Sequence, residues 1–191
     1  MVSLTGGNLV NSDVMRVLPV EIVEAYQDWQ PPLDGRKAVT AAISAVPKEH
    51  LVGLDRVVLT NAGGLNRAQR RKKTKWRGQT RHSREALGTY AQPWQGRKAH
   101  IKLFVDNIIA QCPRAARFAP IRNALFADIL FHEIGHHIHV TRTKQFRDRE
   151  DVADEWVQKL GELYLRGKRW YLVPLIRFLG IERVFHMNVR A

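Results

Sequence analysis

Two histidines four residues apart, with a glutamate directly after the first, constrain this chain more than any other feature of its sequence. They are His132, Glu133 and His136. On an α-helix, residues four apart project from the same face about one turn from each other. Two imidazole nitrogens at this spacing can bind one zinc ion at about 2.0–2.1 Å. Glu133 is then placed to act as a base toward a water on that ion.

The residues before this motif predict the helix that the spacing requires. Pro120 suits a first helical turn, and no Gly or Pro follows it before Gly135. Apolar residues recur at helical steps, at Ile121, Leu125, Ile129, Leu130 and Ile134. The same stripe, continued along the helix, reaches His132 and His136. We therefore expect both histidines on the buried face of the helix.

A second, acidic motif follows the first. Glu150 lies fourteen residues after His136, in the order Arg-x-x-Glu-x-x-Ala-Asp, which ends at Asp154. Acidic residues are also favoured at a helix N-terminus by the helix macrodipole, and Asp148 is a suitable N-cap for a helix carrying Glu150. The residues alone therefore leave Glu150, Asp151 and Asp154 open as a third metal ligand.

Together the two motifs resemble those of the gluzincin metallopeptidases. These zincins include thermolysin-like enzymes, membrane CAAX-type endopeptidases and the ImmA/IrrE-like regulators. The resemblance covers residues 100–165. It implies one Zn²⁺ per chain, held by His132, His136 and Glu150. It also implies that Asp154 orients one of the metal-bound histidines, for which His132 is the first candidate. The chain departs from the larger families in its short interval between His136 and Glu150 and in having no room for their additional helices or membrane spans, so a compact gluzincin-like domain fits best.

The resemblance further implies a fold and a reaction. The fold would be α+β and zincin-like, with a small, mostly antiparallel three- to four-stranded sheet packed on the motif helix and further helices on either side. The reaction would be hydrolysis of a peptide or protein substrate by a zinc-bound water, with Glu133 accepting its proton. The donor that stabilises the carbonyl oxygen stays open among Tyr90, Tyr164, Tyr171 and His186.

Two other patterns for a metal site fit less well. The metzincin pattern requires Gly and His where this chain has His139 and Arg142. A peptide-deformylase site uses a Cys ligand in a Gly-Cys context, and Cys112, the only cysteine, follows Gln. His139 stays open as a fourth ligand, and a core or helix C-terminal position is its simpler interpretation.

Length and composition bound the class of protein. At 191 residues the chain can form one domain with a substantial core, and we expect N-terminal helices over 1–46, a zincin core over 47–166 and a C-terminal helical extension over 167–191. One cysteine excludes an internal disulfide and fits a reducing compartment. Without a signal-peptide pattern or a membrane-spanning run, the sequence predicts a soluble, cytoplasmic protein with no membrane partner.

Periodicity predicts the elements that precede the motif helix. A helical pattern opens at Pro19, and a second helix covers Gly35–Val46. Predicted strands are Leu51–Thr60, Glu85–Gln92 and Ile101–Val105. In zincins the strand before the motif helix commonly borders the cleft, so the resemblance suggests Lys102–Val105 as an edge that pairs with the substrate backbone. An ordinary sheet strand is the alternative interpretation.

Most of the net charge of +13 lies in one segment. Residues 67–84 contain nine Lys and Arg and no acidic residue, which predicts an exposed or mobile loop over 66–84. This loop is either simply solvated or binds nucleic acid or an acidic protein. The candidate contacts are Arg70, Arg71, Lys72, Lys73, Lys75, Trp76 and Arg77. The alternative function is therefore a nucleic-acid-associated binding protein with a structural or vestigial zinc site.

Overall fold

The computed structural model describes residues 20–71, 73–76, 79–111, 113–143 and 149–166. Its strands are β1 (Glu21–Glu24), β2 (Leu54–Thr60), β3 (Lys73–Trp76), β4 (Gln79–His82), β5 (Gly88–Ala91) and β6 (Ala99–Phe104). Its α-helices are α1 (Gly35–Ile43), α2 (Arg67–Arg71), α3 (Val105–Gln111), α4 (Ala119–Thr143) and α5 (Glu150–Arg166). The predicted C-terminal extension over 167–191, Cys112 and the predicted N-cap Asp148 lie outside the described residues.

The main sheet has the strand order β1-β2-β6-β5. β1 and β6 both run parallel to β2, and β5 runs antiparallel to β6. The α+β class is confirmed, but the expected mostly antiparallel sheet is wrong. Helix α1 connects β1 to β2, and a helical crossover of this kind allows neighbouring strands to run in the same direction.

The segment after Pro19 forms strand β1 and not the predicted helix. Its apolar residues Val20, Ile22 and Val23 are β-branched and suit a strand. β1 pairs with β2 from Glu21↔Arg56 to Glu24↔Leu59. The run is so short that its periodicity does not separate a helix from a strand, and pairing with β2 decides the outcome.

The remaining predicted elements of the core are confirmed with shifted boundaries. Helix α1 begins after Asp34, whose carboxylate accepts a hydrogen bond from the Lys37 backbone N–H at 2.8 Å. The three predicted strands correspond to β2, β5 and β6, and the motif helix to α4. Within the described ranges, no helix combines the length and the apolar character needed to cross a membrane.

Helix α4 lies between the sheet and α5, which explains why it is buried along most of its length. It contacts α1, β5 and β6 on one side and packs against α5 on the other. Alternate residues of β2 and β6 are fully buried in the core cluster that also contains α4 residues, among them Leu59 and Leu103. On the α5 side the buried residues include Val157, Leu160 and Tyr164. The two histidines of the motif therefore lie in the interior of the molecule.

The basic segment contains regular structure, so the predicted loop over 66–84 is wrong. It includes helix α2 and a two-stranded antiparallel sheet in which Lys73 pairs with His82 and Trp76 with Gln79. Thr74, Trp76 and Thr80 have high strand propensity, and the density of charged residues conceals this in the sequence. Strands β3 and β4 of this segment form a second sheet, separate from the main sheet.

Candidate metal centre

Helices α4 and α5 bring together the three side chains that the sequence predicts as metal ligands. The Nε2 atoms of His132 and His136 are 3.2 Å apart. The Glu150 carboxylate oxygens lie 3.5 Å from Nε2 of His132 and 3.7 Å from Nε2 of His136. One ligand atom from each residue falls within 4.8 Å of the other two. This group can hold a metal ion.

The separations between these atoms fit a single tetrahedral ion. Two ligand atoms at about 2.0–2.1 Å from such an ion lie about 3.3–3.4 Å from each other. The Glu150 oxygens, at 3.5 and 3.7 Å from the imidazoles, are too distant for good hydrogen bonds, whose N···O distances are about 2.7–3.2 Å. The carboxylate is therefore better placed to share an ion with the histidines. Two imidazoles and one carboxylate suit zinc and other first-row divalent metals.

Burial of the group also favours a bound cation. The exposed fraction is 0 % for His132, 2 % for Glu133 and 7 % for His136. Polar and ionised side chains in the interior are costly unless they are paired or coordinate a metal. A divalent cation among two neutral imidazoles and the Glu150 carboxylate provides this pairing.

Asp154 lies one helical turn after Glu150 and contacts the far side of His132. Its Oδ1 is 3.1 Å from Nδ1 of His132. A hydrogen bond from Nδ1–H to this carboxylate leaves the Nε2 lone pair directed at the ligand cluster. Such carboxylate–histidine pairs orient metal-binding imidazoles and raise their basicity.

The surroundings of His132 determine its protonation. Burial lowers its pKa, but the hydrogen bond to Asp154 and the negative charges of Glu150 and Glu133 outweigh burial and raise the pKa to about 9. Without a metal, the imidazole therefore carries two protons at neutral pH. Since a metal binds only the deprotonated nitrogen, it must displace a proton from His132.

Close packing of α4 on α5 determines whether Glu150 and Asp154 of α5 can contact the histidines of α4. A Cβ atom added to Gly135 would lie 2.8 Å from Cα and 2.9 Å from the carbonyl oxygen of Ala153. These are backbone atoms, so relief of the overlap would require α5 to move. Gly135 and Ala153 are small residues inside the two motifs, and their role becomes evident only from the packing of the two helices. A glycine inside a helical pattern is a known signal of such packing.

Strand β5 lies along the Glu133 side of α4. A Cβ atom added to Gly88 would lie 2.7 Å from Oε1 and 2.9 Å from Cγ of Glu133. β5 is the edge strand at this end of the sheet, and β6 lies between β2 and β5. The expectation that Lys102–Val105 forms the edge is therefore wrong. Gly88 falls inside the predicted strand Glu85–Gln92, and a glycine in a strand often marks a close backbone approach.

His137 of α4 forms hydrogen bonds to strand β5 and to the residue Val52. Its Nε2 is 3.0 Å from the Val52 carbonyl oxygen, and its Nδ1 is 3.2 Å from the Tyr90 hydroxyl. Nε2–H therefore donates to Val52, and Nδ1 accepts from Tyr90. Burial lowers the pKa of His137, in keeping with the neutral imidazole that both bonds require.

Among the described residues, the metal-ligand group does not include the other candidates that the sequence left open. Asp151 forms an exposed ion pair with Arg149. His139 is buried but is not part of the ligand group found among the described residues. Tyr164 is buried in the core, with its ring 5.7 Å from that of Phe131. Tyr171 and His186 lie outside the described residues.

Comparison of the chain with protein-family models, curated proteins and solved structures gives no match. The comparisons therefore assign no family. The resemblance to gluzincins depends on the two motifs alone.

Replacement of Gly135 by Ala is expected to weaken metal binding and folding together. The added methyl overlaps the Ala153 backbone and forces α5, with Glu150 and Asp154, away from the histidines. We expect zinc affinity to fall at least 10-fold and the free energy of unfolding to fall by about 1–3 kcal/mol. Competition with a chromogenic chelator and urea unfolding measure the two effects. Gln158→Ala, on the exposed face of α5, is the control, and equal behaviour of both variants would contradict the packing argument.

The apparent zinc affinity is expected to rise with pH. Because the pKa of His132 is about 9 in the folded protein, its small deprotonated fraction rises about 10-fold with each unit from pH 6.5 to 8.5, and zinc binding tightens by about the same factor. Asp154→Asn removes the carboxylate that is hydrogen-bonded to His132 and raises its pKa. Zinc affinity should therefore stop rising at a lower pH in this variant than in the wild type. Above the pH at which it levels off, the affinity of the variant should be about 10–100-fold weaker than that of the wild type. Chelator competition at several pH values tests both statements, and identical profiles would exclude a role for Asp154.

Proposed function

We propose that this protein is a zinc-dependent metallopeptidase of the gluzincin type. The observation that carries the proposal is the position of Glu133, a buried carboxylate directly after a ligand residue and against the edge strand β5. A site that only stabilises the fold has no use for a base at this point. A catalytic site requires one.

The proposed cofactor is one Zn²⁺ per chain, held by His132, His136 and Glu150. Three protein ligands are typical of catalytic zinc sites, whereas structural sites commonly have four. When bound, zinc would polarise a peptide carbonyl and lower the pKa of a water to about 7. Asp154 would keep His132 in the tautomer that binds the metal.

Glu133 carries both proton transfers in the proposed reaction. Its carboxylate accepts a proton from water as the water oxygen bonds to the carbonyl carbon of the substrate. It then donates that proton to the amide nitrogen as the C–N bond breaks, and a carboxylic acid and an amine leave. Burial of Glu133 keeps bulk water from competing for these protons.

Strand β5 is the proposed binding edge for the substrate backbone. Within the described residues β5 is an edge strand paired with β6, and its other edge is the side along which an extended peptide would add as a further strand. Gly88 brings this strand within contact of Glu133. Main-chain pairing along β5 would hold the scissile carbonyl beside the carboxylate, with little dependence on side chains. The substrate class is therefore an extended peptide or an exposed protein segment.

Glu133→Gln is the direct test of the proposed function. Glutamine keeps the size of the side chain but cannot accept the proton, so we expect about one zinc per chain in both proteins and at least a 100-fold loss of peptide cleavage in the variant. Metal content by atomic spectroscopy and cleavage of a peptide library provide the measurements. Zinc in both proteins with cleavage in neither would favour a structural or vestigial site. Absence of zinc from both would remove the basis of the proposal.

Gly88→Ala should slow cleavage without releasing the metal. The new methyl overlaps the Glu133 side chain and displaces it, and none of the three atoms closest to the methyl belongs to a metal ligand. We expect kcat to fall about 10-fold or more at unchanged zinc content, since small displacements of a catalytic group are costly. Thr89→Ala is the control, because neighbouring residues of a strand face opposite sides of the sheet. An unchanged kcat would mean that Gly88 does not set the position of Glu133.

A further inference from the structure

A basic cavity of about 680 Å³ lies beside helix α2, and none of the metal ligands lines it. Four arginines and one histidine line this cavity, with one glutamate: Arg67, Arg70, Arg71, Arg84, His82 and Glu85. The metallopeptidase proposal assigns no role to it. We refer to it below as the arginine cavity.

Two separate elements supply the arginines. Arg67, Arg70 and Arg71 come from α2, where residues three and four apart share a face. Arg84 comes from the 3₁₀ turn Ser83–Glu85. Contact between α2 and this turn, which lie at the two ends of the segment 67–84, therefore forms the cavity.

Hydrogen bonds hold both walls in place. Nε of Arg70 donates to the Leu65 carbonyl oxygen at 2.7 Å, and its terminal nitrogen donates to the Gly63 carbonyl oxygen at 2.5 Å. On the other wall, the Asn107 side-chain amide donates to the carbonyl oxygen of Arg84 at 2.8 Å. The cavity is therefore organised before any ligand arrives, which lowers the entropy lost on binding.

Positive charge in the cavity exceeds the negative charge that faces it. The Glu85 carboxylate is 3.3 Å from Nε of Arg84 and offsets that charge. Among the residues that the structure describes, no carboxylate forms an ion pair with Arg67, Arg70 or Arg71. Like charges held this close repel one another, and a bound anion would relieve the repulsion.

The chemistry of the walls favours phosphate. Arginine has a planar fork of donors that matches phosphate oxygens, and its charge persists at any physiological pH. The cavity has the size of pockets that hold a nucleotide-sized group. The segment 67–84 contains nine Lys and Arg in total, so positive charge extends beyond what one phosphate can neutralise. A regular polymer of phosphates matches this distribution better than one small anion does.

We propose that the arginine cavity binds backbone phosphates of a nucleic-acid strand without regard to base sequence. Two residues, Ala86 and Leu87, separate the turn that carries Arg84 from strand β5. Binding at the cavity is independent of the peptidase proposal. Where both hold, nucleic acid would be bound beside the strand that receives the peptide.

The test is fluorescence anisotropy of the full zinc-loaded chain with a labelled 20-nucleotide single strand of mixed sequence, at several salt concentrations. The test variant is Arg67→Gln/Arg71→Gln/Arg84→Gln, which leaves Arg70 and its backbone bonds intact. The control is Lys37→Gln/Lys48→Gln/Arg114→Gln, which removes the same charge from exposed positions elsewhere. The single variant Arg71→Glu serves if the triple variant does not fold, as judged by circular dichroism.

We expect the triple variant to bind at least 10-fold more weakly, and the slope of log affinity against log salt to fall by about 2 to 3. The control should stay within about 2-fold of the wild type. Equal weakening of both variants would overturn the proposal in favour of net charge alone. Competition by polyglutamate as effective as by unlabelled oligonucleotide would assign the cavity to acidic proteins. Displacement by inorganic phosphate at low millimolar concentration would assign it to a small free anion.

Discussion

The contact between α4 and α5 at Gly135 and Ala153 is the constraint on which the rest of the structure depends. Only a glycine permits the helices to approach to a distance at which a Cβ atom would lie 2.8 Å from the opposite backbone. At that distance Glu150, at the start of α5, lies close to Nε2 of both histidines. Asp154, one turn later, contacts Nδ1 on the opposite side of the His132 ring. A separation larger by one methyl group would withdraw both carboxylates at once, because both belong to the same rigid helix.

The same contact creates an electrostatic problem that a cation resolves. His132, Glu133 and His136 lie on a helix enclosed by the sheet and by α5, where water cannot stabilise charge. Without a metal, the carboxylates hold a proton on His132, and its pKa rises to about 9. A divalent ion bound at this group would replace that proton. Its binding would then be coupled to folding, and the interior position would make its charge effective.

The sheet contributes the second half of the site. Its antiparallel edge strand β5 crosses the Glu133 side of α4, where Gly88 permits contact with the carboxylate and Tyr90 bonds to His137. The parallel strands β1, β2 and β6 supply the buried face beneath α4 and no residue of the ligand set. The arginine cavity adjoins this arrangement through the turn that leads into β5, so the two proposed binding surfaces share one structural support.

The sequence by itself determined the local part of this protein. The spacing of His132 and His136, the helical period around them and the acidic motif at Glu150 and Asp154 depend on neighbours within one or two turns, and these elements formed as predicted. Tertiary structure decided the rest: the parallel direction of β1, the interior position of β6, the approach of Gly88 and the walls of the arginine cavity. Each depends on residues far apart in the chain, because strand pairing and close helix packing are selected by the free energy of the whole fold and not by local propensity.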